Sequence, residues 1–144
     1  TLLEQLDGYN YSARAWAIRA LALIGDVRSL PVLLETTASD FALSVRRAAA
    51  KGIGSVDWSQ LPVEQRHDAQ AEVLQVLLQS STSDPEWVVR YAAIVGLQAL
   101  AEVLPQDDNR LEMIIKHLQA ISEQEATVAV KARIHLAWQQ LTCR

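Results

Sequence analysis

Cysteine is nearly missing from this sequence: Cys143 is the only one in 144 residues, so no internal disulfide can form, and the chain is compatible with a reducing cytoplasm. Prolines number four and glycines five, and no alternating run of Val, Ile, Thr and aromatic residues is bounded by hairpin turns, which argues against a β architecture. No apolar run is long enough to span a bilayer, so no membrane insertion is expected. Positive charge is also short. A net charge of −4 argues against a general nucleic-acid partner, because phosphate binding needs a positive field, yet it leaves room for a local basic stripe. Enzyme signatures are almost absent: there is no glycine loop to cradle phosphate, no Gly-x-Ser-x-Gly, and no histidine pair at metal-ligand spacing. His67, His117 and His135 read as surface or packing residues, no metal site is expected, and Cys143 lies too near the end to be a well-held nucleophile.

What the sequence has is a phrase repeated with variation. Its copies begin Ala13-Arg14-Ala15-Trp16, Val45-Arg46-Arg47-Ala48, Val89-Arg90-Tyr91-Ala92 and Val130-Lys131-Ala132-Arg133. Aligned on the cation, a small residue recurs at one phase (Ala20, Gly52, Gly96, Ala137), followed by a large apolar one (Leu21, Ile53, Leu97, Trp138). A small residue lets a neighbouring helix approach closely, and the apolar residue fills the seam. The cations lie about 32, 44 and 41 residues apart, the range of HEAT and armadillo hairpins. The expected fold is therefore all-α: a right-handed α-solenoid of about four HEAT-like hairpins, the first incomplete. Residues 1–144 form one such domain, expected to be the C-terminal part of a longer chain.

Each phrase is the second helix of a hairpin. Leu2 to Leu6 read as the end of a first helix, and Asp7-Gly8-Tyr9-Asn10 as a turn. Ser12 is expected to cap a helix to Ile24, stopped by Gly25-Asp26. Further helices are expected over 30–38, 42–53, from Pro62 onward, 85–103, 111–121 and 126–141, with 54–61 irregular. Asp84-Pro85-Glu86 reads as a helix start, with Asp84 as the cap. Asp107-Asp108-Asn109 supplies the next cap.

The repeated cations admit two readings. Asp40 and Asp84 lie six residues before Arg46 and Arg90, so arginines and acids can form a structural ladder within or between repeats. Alternatively, some arginines face a groove and bind a carboxylate ligand with both prongs. Tyr9, Tyr11, Trp16, Phe41, Trp87 and Tyr91 recur at one end of successive hairpins, where a solenoid edge collects binding residues. Such an edge suits a flat conjugated ligand with acidic arms or a protein partner; burial of Trp16 and Trp87 between helices is the competing reading.

Asp7 to Leu21, Asp40 to Ala49 and Asp84 to Ala93 resemble the smaller, F-type subunit of the cyanobacterial heterodimeric phycocyanobilin lyases. The likeness covers residues 2–101 with high specificity and the last hairpin more loosely. It implies pairing with an E-type subunit, and attachment of an open-chain tetrapyrrole, phycocyanobilin, to a cysteine of the phycocyanin α subunit. It further implies no cofactor besides that substrate, and a cytoplasmic setting in phycobilisome assembly. On this resemblance Arg14, Arg46 and Arg90 serve propionate or structural pairing. Asp40 and Asp84, the candidate catalytic acids, serve pyrrole nitrogens or arginine. Tyr9, Tyr11, Trp16, Trp87 and Tyr91 serve the ring or partner surface. Relatives that also isomerise the bilin to phycoviolobilin carry an adjacent His-Cys pair, which this sequence lacks, so attachment without isomerisation is implied. A scaffold or adaptor that binds phycobiliproteins without transferring pigment is the alternative.

Overall fold

The computed structural model describes residues 11–143, so the turn at Asp7 to Asn10 and the segment Leu2 to Leu6 lie outside the described residues. Among the described residues seven α-helices follow one another: α1 (Tyr11–Ile24), α2 (Leu30–Ser39), α3 (Leu43–Gly52), α4 (Val63–Ser83), α5 (Trp87–Val103), α6 (Asn109–Gln124) and α7 (Val128–Thr142). Helices α2/α3, α4/α5 and α6/α7 are antiparallel hairpins, and α1 takes the place of a second helix before them. Second helices α1, α3, α5 and α7 pack successively on one another, with the first helices α2, α4 and α6 as the outer layer.

The apolar period of each helix fills the seam between layers. Leu33, Leu77, Ile114 and Leu118 from first helices meet Val45, Ile94, Leu97, Val130 and Ile134 from second helices, all essentially inaccessible. Full burial of each such side chain stabilises by about 1.5–3 kcal/mol. No helix among the described residues is long and apolar enough to cross a membrane.

The small-residue phase does what the sequence suggests in the middle of the stack. A Cβ added at Gly96 would sit 2.5 Å from the Ala50 carbonyl oxygen of α3, and one at Gly52 would collide with the Ala22 side chain of α1. Ala137 is fully buried, whereas Ala20 is exposed.

Helix ends mostly match expectation, with two corrections. Gly25 ends α1 at φ +68°, the left-handed conformation that favours glycine. Pro31 sits in the first turn of α2, and the Asp108 carboxylate accepts from the Arg110 N–H to cap α6. Ser12, however, lies inside α1. Asp84 does not open α5: it closes α4, Pro85 is in the turn, and α5 starts at Trp87 after Glu86. The carboxylate of Asp84 is engaged elsewhere, as described below.

Two short 3-10 turns, Ile53–Ser55 and Trp58–Gln60, occupy the irregular stretch. It is pinned to the α1 end: Asp57 N–H donates to the Gly25 carbonyl at 2.9 Å, and Val27 N–H donates to Gln60 Oε1 at 3.0 Å. Val56 and Trp58 are buried beneath it. This insertion and the 21-residue α4 account for the wide interval between Arg46 and Arg90.

Candidate functional site

The repeated arginines and the acids at the ends of first helices form one inter-repeat ladder. Asp40, Asp84 and Glu125 each follow directly on the last residue of α2, α4 and α6 and cap it. Each carboxylate accepts from the backbone N–H two residues on: Ala42 at 2.9 Å, Glu86 at 3.0 Å and Thr127 at 3.0 Å. The same carboxylate takes both prongs of an arginine from the preceding unit. Arg14 meets Asp40 (3.4 and 3.1 Å), Arg46 meets Asp84 (2.9 and 3.2 Å), and Arg90 meets Glu125 (2.9 and 2.9 Å). Arg46 and Arg90 also donate to the carbonyls of Asp40 and Asp84 in their own turns, at 2.9 Å each. Each of these two guanidinium groups therefore ties its own hairpin turn to the next one. Arg90 holds the Glu125 carboxyl below its ordinary range by hydrogen bonding, against the opposing effect of burial, and Glu125 raises the Arg90 guanidinium by the same bond.

The structure thus places Arg14, Arg46, Arg90, Asp40 and Asp84 in ion pairs between repeats. Their carboxylates and forks already hold one another, the arrangement of the structural reading. Glu125 belongs to the ladder although it was not singled out; it lies six residues before Lys131, as Asp40 does before Arg46.

Trp16 and Trp87 are not buried between helices: they are 67% and 45% exposed. Tyr11, Leu43, Trp87 and Val128 are each the first residue of a second helix and all are exposed, so one edge of the stack carries an apolar side chain per unit. Tyr91 is half-buried against the core. Phe41, in the turn after Asp40, lies under the Arg14 guanidinium at 5.1 Å. Tyr9 lies outside the described residues. The histidines are packing or surface groups: His117 Nε2 bonds Ser81 Oγ at 2.9 Å, burial lowers its pKa, and His135 stacks on Trp138.

Charge is sorted between the two helix layers. Among the described residues, second helices carry Arg14, Arg19, Arg46, Arg47, Lys51, Arg90, Lys131 and Arg133 against a single acid, Glu102. First helices carry Glu35, Glu64, Asp68, Glu72, Glu112 and Glu123 against Arg66, Arg110 and Lys116. An acidic protein thus presents a basic stripe, and the ladder accounts for only three of its members. Between α1 and α3 lies an open groove of about 340 Å³ flanked by Arg19, Arg47 and Lys51. Sequence reasoning missed this trio. Arg47 and Lys51 stand four apart on one face of α3, a visible signal, but their proximity to Arg19 depends on the α1–α3 contact.

Stacked two-helix units with a shared core and a repeating inter-unit arginine define an α-solenoid of the HEAT class, and the family model described as HEAT repeats matches residues 1–98. The phycocyanobilin lyase subunit beta of Pseudanabaena tenuis is 48% identical over 141 residues, covering 97% of this chain and 50% of that protein. The phycocyanin alpha phycocyanobilin lyase CpcF of Synechocystis sp. is 50% identical over 133 residues, covering 92% and 60%. A lyase beta subunit from Nostoc sp. is 48% identical, covering 96% and 67%. A chain in the solved complex of CpcE and CpcF of phycocyanin lyase from Nostoc sp. PCC7120 superposes with a TM-score of 0.83 at 47% identity, covering 94% of this chain and 77% of that one. The chain belongs to the phycocyanobilin lyase beta-subunit family. It spans between half and two thirds of the length of these three curated relatives.

Proposed function

We propose that the chain acts in a heterodimeric bilin lyase, paired with an E-type subunit, that attaches phycocyanobilin through a thioether to a cysteine of the phycocyanin α subunit. The observation that carries this reading is the identity of 48–50% to proteins named as phycocyanobilin lyase subunits, across nearly all of this chain. The setting is the cyanobacterial cytoplasm during phycobilisome assembly, in keeping with a relative named phycobilisome maturation protein.

The chemistry asks little of the lyase beyond orientation. A thioether made without a leaving group is an addition of S–H across a carbon–carbon double bond: sulfur bonds one carbon, and the proton ends on the conjugated system. The acceptor protein supplies the thiol, and no oxidant is consumed. The enzyme's part is to hold the bilin extended and present one face of it to the acceptor cysteine. This agrees with residues whose one cysteine, Cys143, is free and exposed and whose repeat acids are tied to arginines. Residues 1–144 hold no adjacent His-Cys pair, which is in keeping with attachment without isomerisation.

Reconstitution tests the reading. Full-length protein, an E-type partner, phycocyanobilin and apo-phycocyanin α subunit are expected to give covalent pigment on the α subunit only when both lyase subunits are present. A stable complex with the α subunit and no adduct would favour a scaffold instead.

A further inference from the structure

The groove between α1 and α3 has the composition of a carboxylate-binding site with an apolar floor. Arg47 and Lys51 project from one face of α3, and Arg19 faces them from α1. Among the described residues none of the three has a carboxylate partner, whereas Arg14, Arg46 and Arg90 all do. The floor is Ala22 and Gly52, pressed together where the two helices meet, and Leu23 at the rim is 88% exposed. Trp16 extends the surface, its ring 5.1 Å from the Arg19 guanidinium. Equivalent positions in the next unit are Tyr91 and Val95, so the face turns from cationic to apolar along the stack. That polarity matches a molecule with carboxylates at one side of a conjugated body.

We infer that Arg19, Arg47 and Lys51 bind the two propionate carboxylates of an open-chain tetrapyrrole and fix its position along the second-helix face. The inference rests on the lyase reading; of the two roles open to Arg14, Arg46 and Arg90, propionate or structural pairing, it takes the structural one, since all three are held in the ladder, and gives the propionates to the groove. At about 340 Å³ the groove is at the small end of ligand clefts, so it holds the propionate side while the rings run across Trp16 and toward Tyr91. A guanidinium and an ammonium four residues apart suit two separate carboxylates. Each charge-assisted contact is worth about a tenfold change in affinity or more.

The test is equilibrium binding to the full-length protein with its E-type partner, read from the visible absorbance of the bilin. The probes are phycocyanobilin and its propionate dimethyl ester. Wild type is expected to bind the free acid at least about tenfold more tightly than the diester. The double variant Arg47→Gln/Lys51→Gln is expected to lose that preference, and exposed Arg28→Gln to keep it. Circular dichroism checks the fold of each variant, and the diester comparison on wild type needs no substitution. Binding of both pigments with equal affinity by wild type overturns the groove assignment and leaves the lyase reading in place. Retained preference in a folded double variant also overturns it. Binding of neither pigment counts against the lyase reading itself, and the assignment falls with it.

Discussion

Arg46 and Asp84 are joined by a two-pronged ion pair across a repeat boundary, Nε to Oδ2 at 2.9 Å and Nη2 to Oδ1 at 3.2 Å, with both side chains largely shielded. The pair links the first turn of α3 to the residue that caps the C-terminal end of the next hairpin's first helix, and the Arg46 Nη1 holds its own turn through the Asp40 carbonyl at 2.9 Å. Removing one partner strands the other's charge and also frees backbone groups of the turn. Arg46→Ala and Asp84→Ala are each expected to cost about 2–4 kcal/mol in urea unfolding. The double variant should cost less than the sum, as a coupled pair requires. Additive losses would show that the contact contributes little.

One ladder carboxylate and one local pair set an acid limb. Arg90 depresses the Glu125 carboxyl below its ordinary value of 4.5. Arg110, through its side-chain and backbone hydrogen bonds, depresses Asp108 from 3.8 to about 2. A carboxyl that is more acidic when folded contributes stability that is complete above its unfolded pKa and lost as pH falls through its folded one. Asp108→Asn should therefore be less stable than wild type at neutral pH, with the gap closing between about 3.8 and about 2. For Glu125→Gln the gap should close below 4.5. A gap independent of pH in urea melts would contradict both assignments.

Close packing of second helices leaves no room for a methyl group at Gly96, where the Ala50 carbonyl lies 2.5 Å from the added carbon. Gly96→Ala is expected to destabilise by about 1–3 kcal/mol despite the better helix propensity of alanine. Thermal unfolding checks it. A neutral or stabilising outcome would mean that α3 and α5 are less tightly stacked than described.

Trp16 and Trp87 offer the converse case. Both are exposed, so Trp16→Ala and Trp87→Ala should change stability by no more than about 0.5 kcal/mol. Any drop in pigment transfer by these variants then reports lost contact with pigment or partner. A large loss of stability would place the rings in an interior they do not occupy.

Much of the fold was legible because helical repeats write themselves periodically. The phase of Gly52 and Gly96, the stop at Gly25 and the cap at Asp108 were readable from local chemistry. The ladder was legible in part: Asp40 and Asp84 sit six residues before their own cations, but each carboxylate reaches the arginine of the preceding unit, 26 and 38 residues back. That long-range choice also explains the misplaced start of α5. Asp-Pro-Glu is a good local cap, yet the Asp84 carboxylate faces Arg46 and the Glu86 N–H within the turn. Glu125 escaped notice because the third copy substitutes Glu for Asp. The groove was least legible, since Arg19 lies 28 residues before Arg47 and only the stacking of α1 on α3 brings them to one cavity.

The central claim is that the chain orients a pigment and supplies no nucleophile, and a Cys143→Ser variant of the full-length protein tests it most directly. Reconstituted with the E-type partner, phycocyanobilin and apo-phycocyanin α subunit, this variant is expected to match wild type in rate. All covalent pigment should lie on the α subunit and show an unisomerised phycocyanobilin spectrum after denaturation. Loss of transfer with the fold intact, or an isomerised product, would contradict the account.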